Sequence, residues 1–226
     1  AITDIYQPVE QRLELARQCL EVMADCMQPV NTMTKGALVL RDLDLWQKLA
    51  GKHAGRVTVT IATLDDGLAK LLEPRAASPA RRLHVIRELT KAGVPVTVNI
   101  APVIPALTDR ELPAILEAVA EAGARRCAWV LLRLPWQLKE LFDDWLGRHF
   151  PDRREHVLSL MRQASHGKLY DSSYKHRRRG DGPFMKQVAQ TFDIYTRRYG
   201  LNRNLAPLSR RHFRRPDRNG QMSLFK

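Results

Sequence analysis

Lysine, threonine and asparagine side chains stand where three β-branched, apolar runs of this sequence end. Lys35 follows the first run, Thr60 lies near the end of the second, and Asn99 lies near the end of the third. Apolar loops follow at Pro102 and at Leu132. An ammonium group, a hydroxyl, an amide and apolar loops together suit a ligand that carries a carboxylate, hydroxyl groups and a flat ring. Parallel β/α folds bring their strand ends to one edge, so we expect these groups to converge.

No short motif in the sequence names a reaction. It contains no HExxH metal site, no phosphate-binding P-loop, no glycine-rich dinucleotide turn and no evident nucleophile–base pair. The three cysteines, Cys19, Cys26 and Cys127, form no CxxC pair. We expect reduced thiols in a cytoplasmic protein. We expect no membrane partner, because no apolar run approaches the ~20 residues of a membrane span.

Four runs rich in β-branched residues alternate with segments of helical periodicity. The runs cover residues 29–34, 56–63, 94–103 and 126–134. Strands that alternate with helices at this spacing predict right-handed βαβ units and a parallel sheet. Four such units with unequal connections favour part of a β/α barrel over a flat doubly wound sheet. We therefore predict an α/β fold, a partial barrel with about four parallel strands over residues 1–150.

Capping residues mark the predicted helix ends. Pro8 suits the first position of a helix, where its missing N–H costs nothing. Asp42 is the predicted N-cap of the LDLWQKLAG segment, and Ser78 is the predicted N-cap of the PARRLHVIRELTKAG segment. Thr108 and Glu111 have the spacing of a capping box, in which each side chain accepts a hydrogen bond from the other residue's backbone.

The net charge of +13 is confined to the C-terminal third of the chain. Residues 1–147 hold 18 basic and 18 acidic side chains, whereas residues 148–226 hold 19 basic and 6 acidic ones. We predict a basic helical extension over residues 151–201 and a mobile tail over residues 202–226. This excess favours a nucleic-acid partner, the alternative being a solvated basic tail. The candidate phosphate contacts are Arg177, Arg178, Arg179, Arg197 and Arg198.

Five ordered segments carry a resemblance to a known family. They are TDIYQPVE, TKGALVLRDLDL, TLDDGLAKLLEPRAASPARRL, APVIPALTD and VLLRLP. In this order they resemble the radical S-adenosylmethionine (SAM) proteins related to spore photoproduct lyase, which are often labelled DNA repair photolyases. The resemblance implies a partial β/α barrel in which a 4Fe-4S cluster reduces SAM to a 5′-deoxyadenosyl radical. It also implies a lyase-like reaction on nucleic acid, with DNA repair as the leading hypothesis.

The cluster-binding part of that family has no counterpart in this sequence. In the family, the first strand and a CxxxCxxC loop precede the TDxYQP segment, and that loop binds three irons. The sequence contains no CxxxCxxC. We therefore expect a fragment that begins after the second barrel strand, binds no cluster by itself and is inactive alone. The alternative is a non-catalytic nucleic-acid-binding protein with a degenerate barrel.

The resemblance implies specific roles for several side chains. Lys35 would pair with the methionine carboxylate of SAM, and Thr60 would hydrogen-bond the same end. Arg82 would reach the carboxylate or the ribose. The adenine would pack against the loops that contain Asn99, Pro102 and Leu132, and Tyr6 would line the cluster side.

Each of the three polar assignments has a plainer alternative. Lys35 is otherwise a surface lysine, and Thr60 is otherwise an ordinary strand residue. Arg82 is otherwise the ion-pair partner of Glu73 in the LEPR turn.

The last residues resemble a short docking peptide. QMSLF is similar to the QLSLF-like segment by which bacterial polymerases and repair proteins bind the DNA sliding clamp. The resemblance implies that Gln221 bonds at the pocket rim while Met222, Leu224 and Phe225 fill apolar pockets. The alternative is that this segment packs on its own domain. The sequence therefore predicts DNA and a sliding clamp as partners.

Overall fold

The computed structural model describes residues 4–173, 178–203 and 206–215. Four parallel strands form one sheet in the order β1-β2-β3-β4. The strands are β1 (Val30–Thr34), β2 (Gly55–Ile61), β3 (Val96–Val103) and β4 (Arg126–Leu131). The predicted α/β fold with about four parallel strands is confirmed.

Helices precede, connect and follow the strands. They are α1 (Glu10–Leu13), α2 (Leu15–Asp25), α3 (Leu43–Ala50), α4 (Asp66–Leu72), α5 (Pro79–Lys91), α6 (Leu112–Glu121), α7 (Leu138–His149), α8 (Arg154–Ala164) and α9 (Pro183–Arg198). Short 3₁₀ segments, Leu38–Asp42, Asp109–Glu111 and Pro151–Arg153, lead into α3, α6 and α8. In the described residues, no helix combines the length and the apolar character that crossing a membrane requires.

The two faces of the sheet differ because side chains alternate along each strand. Val59 and Val98 are paired in register on the outer face, where each is at most 1% exposed. Helical side chains that complete this core include Trp46, Ile86, Leu89, Ile115 and Leu116. Thr58, Thr60 and Asn99 lie on the opposite, inner face, so the sheet presents an apolar outer face and a polar inner face.

The two edges of the sheet also differ. At the β4 edge the Asn202 side chain makes the hydrogen bonds to the backbone of β4 that a neighbouring strand would otherwise make. Its Nδ2 donates to the Cys127 carbonyl at 3.0 Å, and its Oδ1 accepts from the Cys127 N–H at 2.9 Å. At the other edge, β2 is the one strand neighbour of β1 within the described residues, and Met33 is 41% exposed. A free strand edge of this kind can pair with another chain segment.

The C-terminal extension packs against the β4 side of the sheet. The face of α8 that carries Val157, Met161 and Ala164 is buried, as is the face of α9 that carries Val188 and Phe192. These side chains join the same apolar core as the sheet. Aromatic side chains at helical spacing in this extension therefore contribute to packing.

Part of the segment predicted as a mobile tail lies against the amino ends of the strands. The Ser209 N–H donates to the His53 carbonyl at 2.8 Å, and the Arg214 N–H donates to the Cys26 carbonyl at 2.8 Å. The predicted docking peptide, Gln221, Met222, Leu224 and Phe225, lies outside the described residues, and so does Arg177.

The first helical segment is divided where one helix was predicted. Glu14 has a left-handed conformation, with φ at 52°, and it separates α1 from α2. Pro8 precedes α1 and is not its first residue. The Glu10 carboxylate accepts a hydrogen bond from the Ala16 N–H at 2.9 Å, so it satisfies a backbone donor in the first turn of α2.

Two other predicted caps are wrong, and the Ser78 cap is confirmed. Ser78 Oγ accepts from the Arg81 N–H at 3.3 Å. Asp42 precedes α3 without a capping hydrogen bond, because its buried carboxylate accepts from Arg17 and Arg41. In the described chain the Thr108 side chain likewise makes no capping hydrogen bond. Asp42 instead binds Arg17 of α2, and the Thr108 hydroxyl instead bonds the Ile104 N–H and the Pro102 carbonyl in the preceding loop.

Candidate ligand site at the carboxyl edge of the sheet

The inner face of the sheet carries small polar side chains on neighbouring strands. Thr60 on β2 and Asn99 on β3 are paired in register. Thr58 Oγ1 donates to Asn31 Oδ1 at 3.0 Å. Among the described residues, the hydroxyl of Thr60 and the Oδ1 of Asn99 have no hydrogen-bond partner. Thr60 is 3% exposed and Asn99 is half-buried, so a ligand on this face would reach the unpaired amide oxygen more readily than the unpaired hydroxyl.

An ion-pair network joins three of the predicted site residues at the carboxyl edge. Glu73, which follows α4, is bound by two cations. Lys35 Nζ donates to its Oε1, and Arg82 Nη2 donates to its Oε2 at 2.5 Å. Arg82 Nη1 also donates to the Thr60 carbonyl at 2.8 Å, and Arg82 Nε donates to the Ala77 carbonyl at 2.8 Å. The network therefore fixes the end of β2 relative to the loop after α4.

Burial separates the roles of the two cations. Arg82 is 3% exposed and each of its three nitrogen atoms already donates a hydrogen bond. The pairing of Arg82 with Glu73 is the plainer alternative that the sequence left open. The Lys35 side chain is 40% exposed, and an ammonium group has three donors. Lys35 can therefore bind a further carboxylate while it remains paired with Glu73.

A cavity of about 790 Å³ lies beside Lys35. Its walls come from the segment before α1, the turn after β1, the loop after α4 and the first turn of α5, and they include Tyr6, Gly36, Glu73, Ala77 and Arg81. Thr60, Asn99, Pro102 and Leu132 do not line it. Arg81 and Lys35 give it cationic groups, and Glu73 gives it an acidic one. A zwitterionic group with a carboxylate and an amine matches this combination of charges.

Asp4 holds the N-terminal segment over the turn after β1. Its Oδ1 accepts from the Tyr6 N–H at 2.9 Å, and its Oδ2 accepts from Thr34 Oγ1 at 2.9 Å and from the Lys35 N–H at 2.8 Å. A Cβ atom at Gly36 would lie 3.0 Å from the Tyr6 carbonyl oxygen. The glycine after Lys35 thus permits the close approach that closes one side of the cavity.

Tyr6 is anchored in the core behind the cavity. Its hydroxyl accepts a hydrogen bond from Trp46 Nε1 at 3.1 Å, and the residue is 4% exposed. Burial raises the pKa of the Tyr6 hydroxyl above its ordinary value, so the side chain stays neutral. Its suggested role next to a cluster remains a prediction.

The apolar loops at the ends of β3 and β4 lie at the same edge. The register between β3 and β4 shifts between Ile100 and Val103, so the strand is irregular over the stretch that contains Pro102. Pro102 and Leu132 are half-buried, and the Leu132 N–H donates to the Val103 carbonyl at 2.9 Å. Packing of a flat ring by Pro102 and Leu132 is compatible with this placement and remains a prediction.

Three carboxylates position this edge, and the sequence indicated the observed partner of only one of them, Glu73. Asp4 and Glu73 act as described above, and Glu111 accepts from Thr63 Oγ1 at 2.6 Å and from the Leu64 N–H at 2.7 Å. The pairing of Glu73 with Arg82, nine residues later, is the one that the sequence offered. The bonds of Asp4 to Lys35 and of Glu111 to Thr63 join distant segments, and no local spacing marks them. Apart from the Glu73 pairing, the sequence showed only that each of these acidic residues lies between predicted elements, where a carboxylate can bind backbone or cationic groups.

The predicted arginine set is divided between the two ends of the sheet. Arg178 and Arg179 are exposed near the carboxyl end of β4, where the Arg178 carbonyl accepts from the Leu131 N–H at 2.8 Å. Arg197 and Arg198 end α9, and the adjacent Asn202 N–H donates to the Arg125 carbonyl at the amino end of β4. The described arginines therefore form two separate surfaces.

The cysteines do not fit a 4Fe-4S cluster. Cys19 is exposed on α2, Cys26 follows that helix, and Cys127 is buried in β4. In the part of the chain that the structure describes, no group of three or more His, Cys, Asp or Glu side chains could hold a metal ion. A 4Fe-4S cluster needs cysteine thiolates that converge on its irons. We therefore assign none of these three cysteines as a cluster ligand.

Cys127 should resist alkylation in the folded protein, whereas Cys19 should react. Burial raises the pKa of the Cys127 thiol to about 12, so little of the nucleophilic thiolate forms near neutral pH. Iodoacetamide labelling read by mass spectrometry should modify Cys19 first and Cys127 after unfolding. Equal labelling rates for the two thiols in the folded chain would contradict the packing around β4.

Comparison with known proteins supplies the family context of this edge. The sequence profile of the Radical SAM superfamily matches residues 4–119. Uncharacterized proteins of Mycobacterium tuberculosis and Mycobacterium bovis are each 32% identical over 164 residues, which are 72% of this chain and 48% of theirs. An uncharacterized protein of the Acidianus two-tailed virus is 34% identical over 125 residues, which are 53% of this chain and 40% of its own.

A solved structure shares the fold. A mutant of spore photoproduct lyase superposes with a TM-score of 0.57 at 16% identity, over 82% of this chain and 54% of that one. The chain thus spans about half the length of the relatives it matches.

Proposed function

Since the chain belongs to the Radical SAM superfamily, we propose that it forms the SAM-binding part of a radical enzyme that acts on nucleic acid. The observation that supports this proposal is the carboxyl edge itself. There a half-exposed Lys35 adjoins a cavity, and the unpaired groups of Thr60 and Asn99 lie on the inner face.

The chemistry of the side chains present fits SAM. Lys35 would hold the carboxylate of its methionine part by a charge-assisted hydrogen bond. Thr60 would donate its free hydroxyl to the same end, and Asn99 would offer an amide near the ring. Pro102 and Leu132 would pack the adenine, and Arg82 would act as a positioning residue by fixing Glu73 and the end of β2.

Bound SAM supplies radical chemistry in this superfamily, with a 4Fe-4S cluster as its partner. The described residues offer no ligands for that cluster, so no step through it is assigned to this chain. The chain's own contribution is to bind SAM, to orient it and to exclude water from the inner face.

The surface charge supports a nucleic-acid substrate. Arg178 and Arg179 are exposed near the carboxyl end of β4, and the C-terminal third carries the whole net charge of +13. Arginine neutralises phosphates and provides most of the sequence-independent affinity for nucleic acid. DNA as the substrate, a lyase-like repair reaction and a sliding-clamp partner all belong to this proposal.

A non-catalytic nucleic-acid-binding protein is the second candidate. The scattered cysteines of the described chain favour it, because a degenerate barrel would need no cluster ligands. This candidate predicts that the chain binds oligonucleotides and does not bind SAM, so one titration separates the two functions.

Replacing Thr60 by valine should weaken SAM binding roughly 10- to 150-fold, the value of one hydrogen bond to a charged carboxylate of ~1.5–3 kcal/mol. Titration calorimetry with the 226-residue chain measures it. Thr97→Val is the matched control. Thr97 lies on β3, on the same inner face of the sheet as Thr60, but nearer the amino ends of the strands. No detectable SAM binding by the parent chain, together with oligonucleotide binding, would favour the second candidate.

A further inference from the structure

A second cavity lies at the amino ends of the strands, opposite the candidate SAM site. Its volume is about 1230 Å³. The turns after α3, α5 and α6 form its walls together with the segment 206–208. It is lined by Arg56, Arg87, Lys91, Arg125, Arg126 and Arg203, and we call this surface the basic groove.

The cations of the basic groove are not neutralised by neighbouring carboxylates. Glu88 and Glu121 are the acidic residues among those that line it. In the described chain, none of the six cations forms an ion pair with Glu88, with Glu121 or with a carboxylate outside the groove. The groove therefore has an uncompensated positive charge in a concave surface, which concentrates anions.

Two guanidinium groups of the groove lie close enough to affect each other. Burial lowers the pKa of Arg56, and the positive charge of Arg126 lowers it further. Arg56 Nη2 donates to the Ala206 carbonyl at 3.0 Å, which fixes its position. Like charges held together without an anion raise the free energy of the empty groove, and a bound phosphate would remove that repulsion.

Helix dipoles account for only some of these cations. The carboxyl ends of α5 and α6 face this surface, and a basic side chain in the last turn of a helix stabilises it. Lys91 fits that role. Arg56 and Arg126 belong to strands, and Arg125 and Arg203 belong to connecting segments, so the dipoles do not explain them.

We propose that the basic groove binds the phosphate backbone of a nucleic-acid strand. A series of unpaired cations along an open surface suits a repeating polyanion better than a single small anion. Arg197, Arg198 and Tyr199 at the end of α9 extend the same end of the molecule. This site is separate from the proposed SAM-dependent chemistry and does not depend on it.

The test measures oligonucleotide binding by fluorescence anisotropy with the 226-residue chain. The double variant R125Q/R126Q removes two exposed cations and should weaken binding ~10-fold. It should also reduce the slope of log affinity against log salt by about 2, because each phosphate contact contributes about 1. R153Q is the control, since Arg153 is exposed and does not line the groove. It should leave the slope nearly unchanged.

Thermal unfolding distinguishes a ligand site from a structural one. Arg126→Gln removes the charge that opposes Arg56, so the unfolding temperature without nucleic acid should stay the same or rise. The stabilisation by added oligonucleotide should decrease in the same variant. A lower unfolding temperature with an unchanged oligonucleotide effect would overturn the proposal.

Two further experiments test whether the ligand is a polymer and which of the two basic surfaces binds it. Competition by inorganic pyrophosphate as effective, per phosphate, as the oligonucleotide would overturn the assignment to a polymer. The pair R178Q/R179Q tests the carboxyl-edge surface of the proposed function. R178Q/R179Q could leave oligonucleotide affinity unchanged while R125Q/R126Q weakens it. That result would support binding at the basic groove and would contradict the substrate surface proposed at the carboxyl edge.

Discussion

Replacing Arg82 by alanine is expected to lower the free energy of unfolding by about 3–5 kcal/mol, because it leaves a largely buried carboxylate with only the half-exposed Lys35 as its partner. Arg82 is 3% exposed, and the Glu73 side chain is 11% exposed. The change also removes the donors to the Thr60 and Ala77 carbonyls. Urea denaturation followed by circular dichroism measures the loss.

Two control variants show whether the loss of stability is specific to the Arg82 network or would follow from removing any arginine. Arg148→Ala removes an ion pair with Asp144 in which both side chains are more than half exposed, so it should cost less than about 1 kcal/mol. Arg82→Lys keeps the charge but loses the planar fork that binds Glu73 and two carbonyls, so its cost should be intermediate. A loss for Arg82→Ala as small as that for Arg148→Ala would contradict the network.

The alternation of strands and helices was predictable from sequence because both periodicities are local. Valine and isoleucine in β2 and β3 lie on one face of a sheet that helices cover, and the pattern of the residues reveals it. The Ser78 cap was also predictable, since its Oγ bonds a backbone N–H three residues later. Local geometry is sufficient in both cases.

Contacts between distant segments were not predictable in the same way. Lys35 and Glu73 are 38 residues apart, and Glu111 and Thr63 are 48 apart. Glu111 matched a local capping box, yet its carboxylate satisfies donors in the loop after β2, where the half-buried Leu64 has an N–H that needs a partner. A charged side chain in a loop has many possible partners, and the chain sequence does not rank them.

The grouping of the basic residues also depended on the fold. Arg178, Arg179, Arg197 and Arg198 are close in sequence, and all four were predicted as phosphate contacts. Helix α9 spans Pro183–Arg198 and carries the last two arginines to the other end of the sheet. There the residues that follow α9, Gly200 and Arg203, line one cavity with Arg125 and Arg126, which belong to the charge-balanced part of the chain. The charge count showed which part of the sequence carries the excess of basic residues. The direction of α9 determined which surface its last two arginines reach.

Replacing Lys35 by alanine should weaken SAM binding by about 1.5–3 kcal/mol, the value of a hydrogen bond to a charged group. This corresponds to a loss of affinity of roughly 10- to 150-fold. The physical reason is that Lys35 is the half-exposed cation at the cavity edge, whereas Arg82 is already occupied by Glu73 and two carbonyls. Calorimetry or ligand-observed NMR with the 226-residue chain measures the change.

The stability of the same variant shows whether Lys35 binds ligand or only supports Glu73. With 40% of its side chain exposed, its ion pair should contribute no more than about 1 kcal/mol to unfolding. Lys48→Ala is the matched control, because Lys48 is similarly exposed and pairs with Asp25 away from the cavity. A large loss of SAM affinity in Lys35→Ala alone, at nearly constant stability, is the expected result. Equal affinities in the two variants would make Lys35 an ordinary surface lysine, because a side chain that contacts the ligand carboxylate must change its affinity when removed.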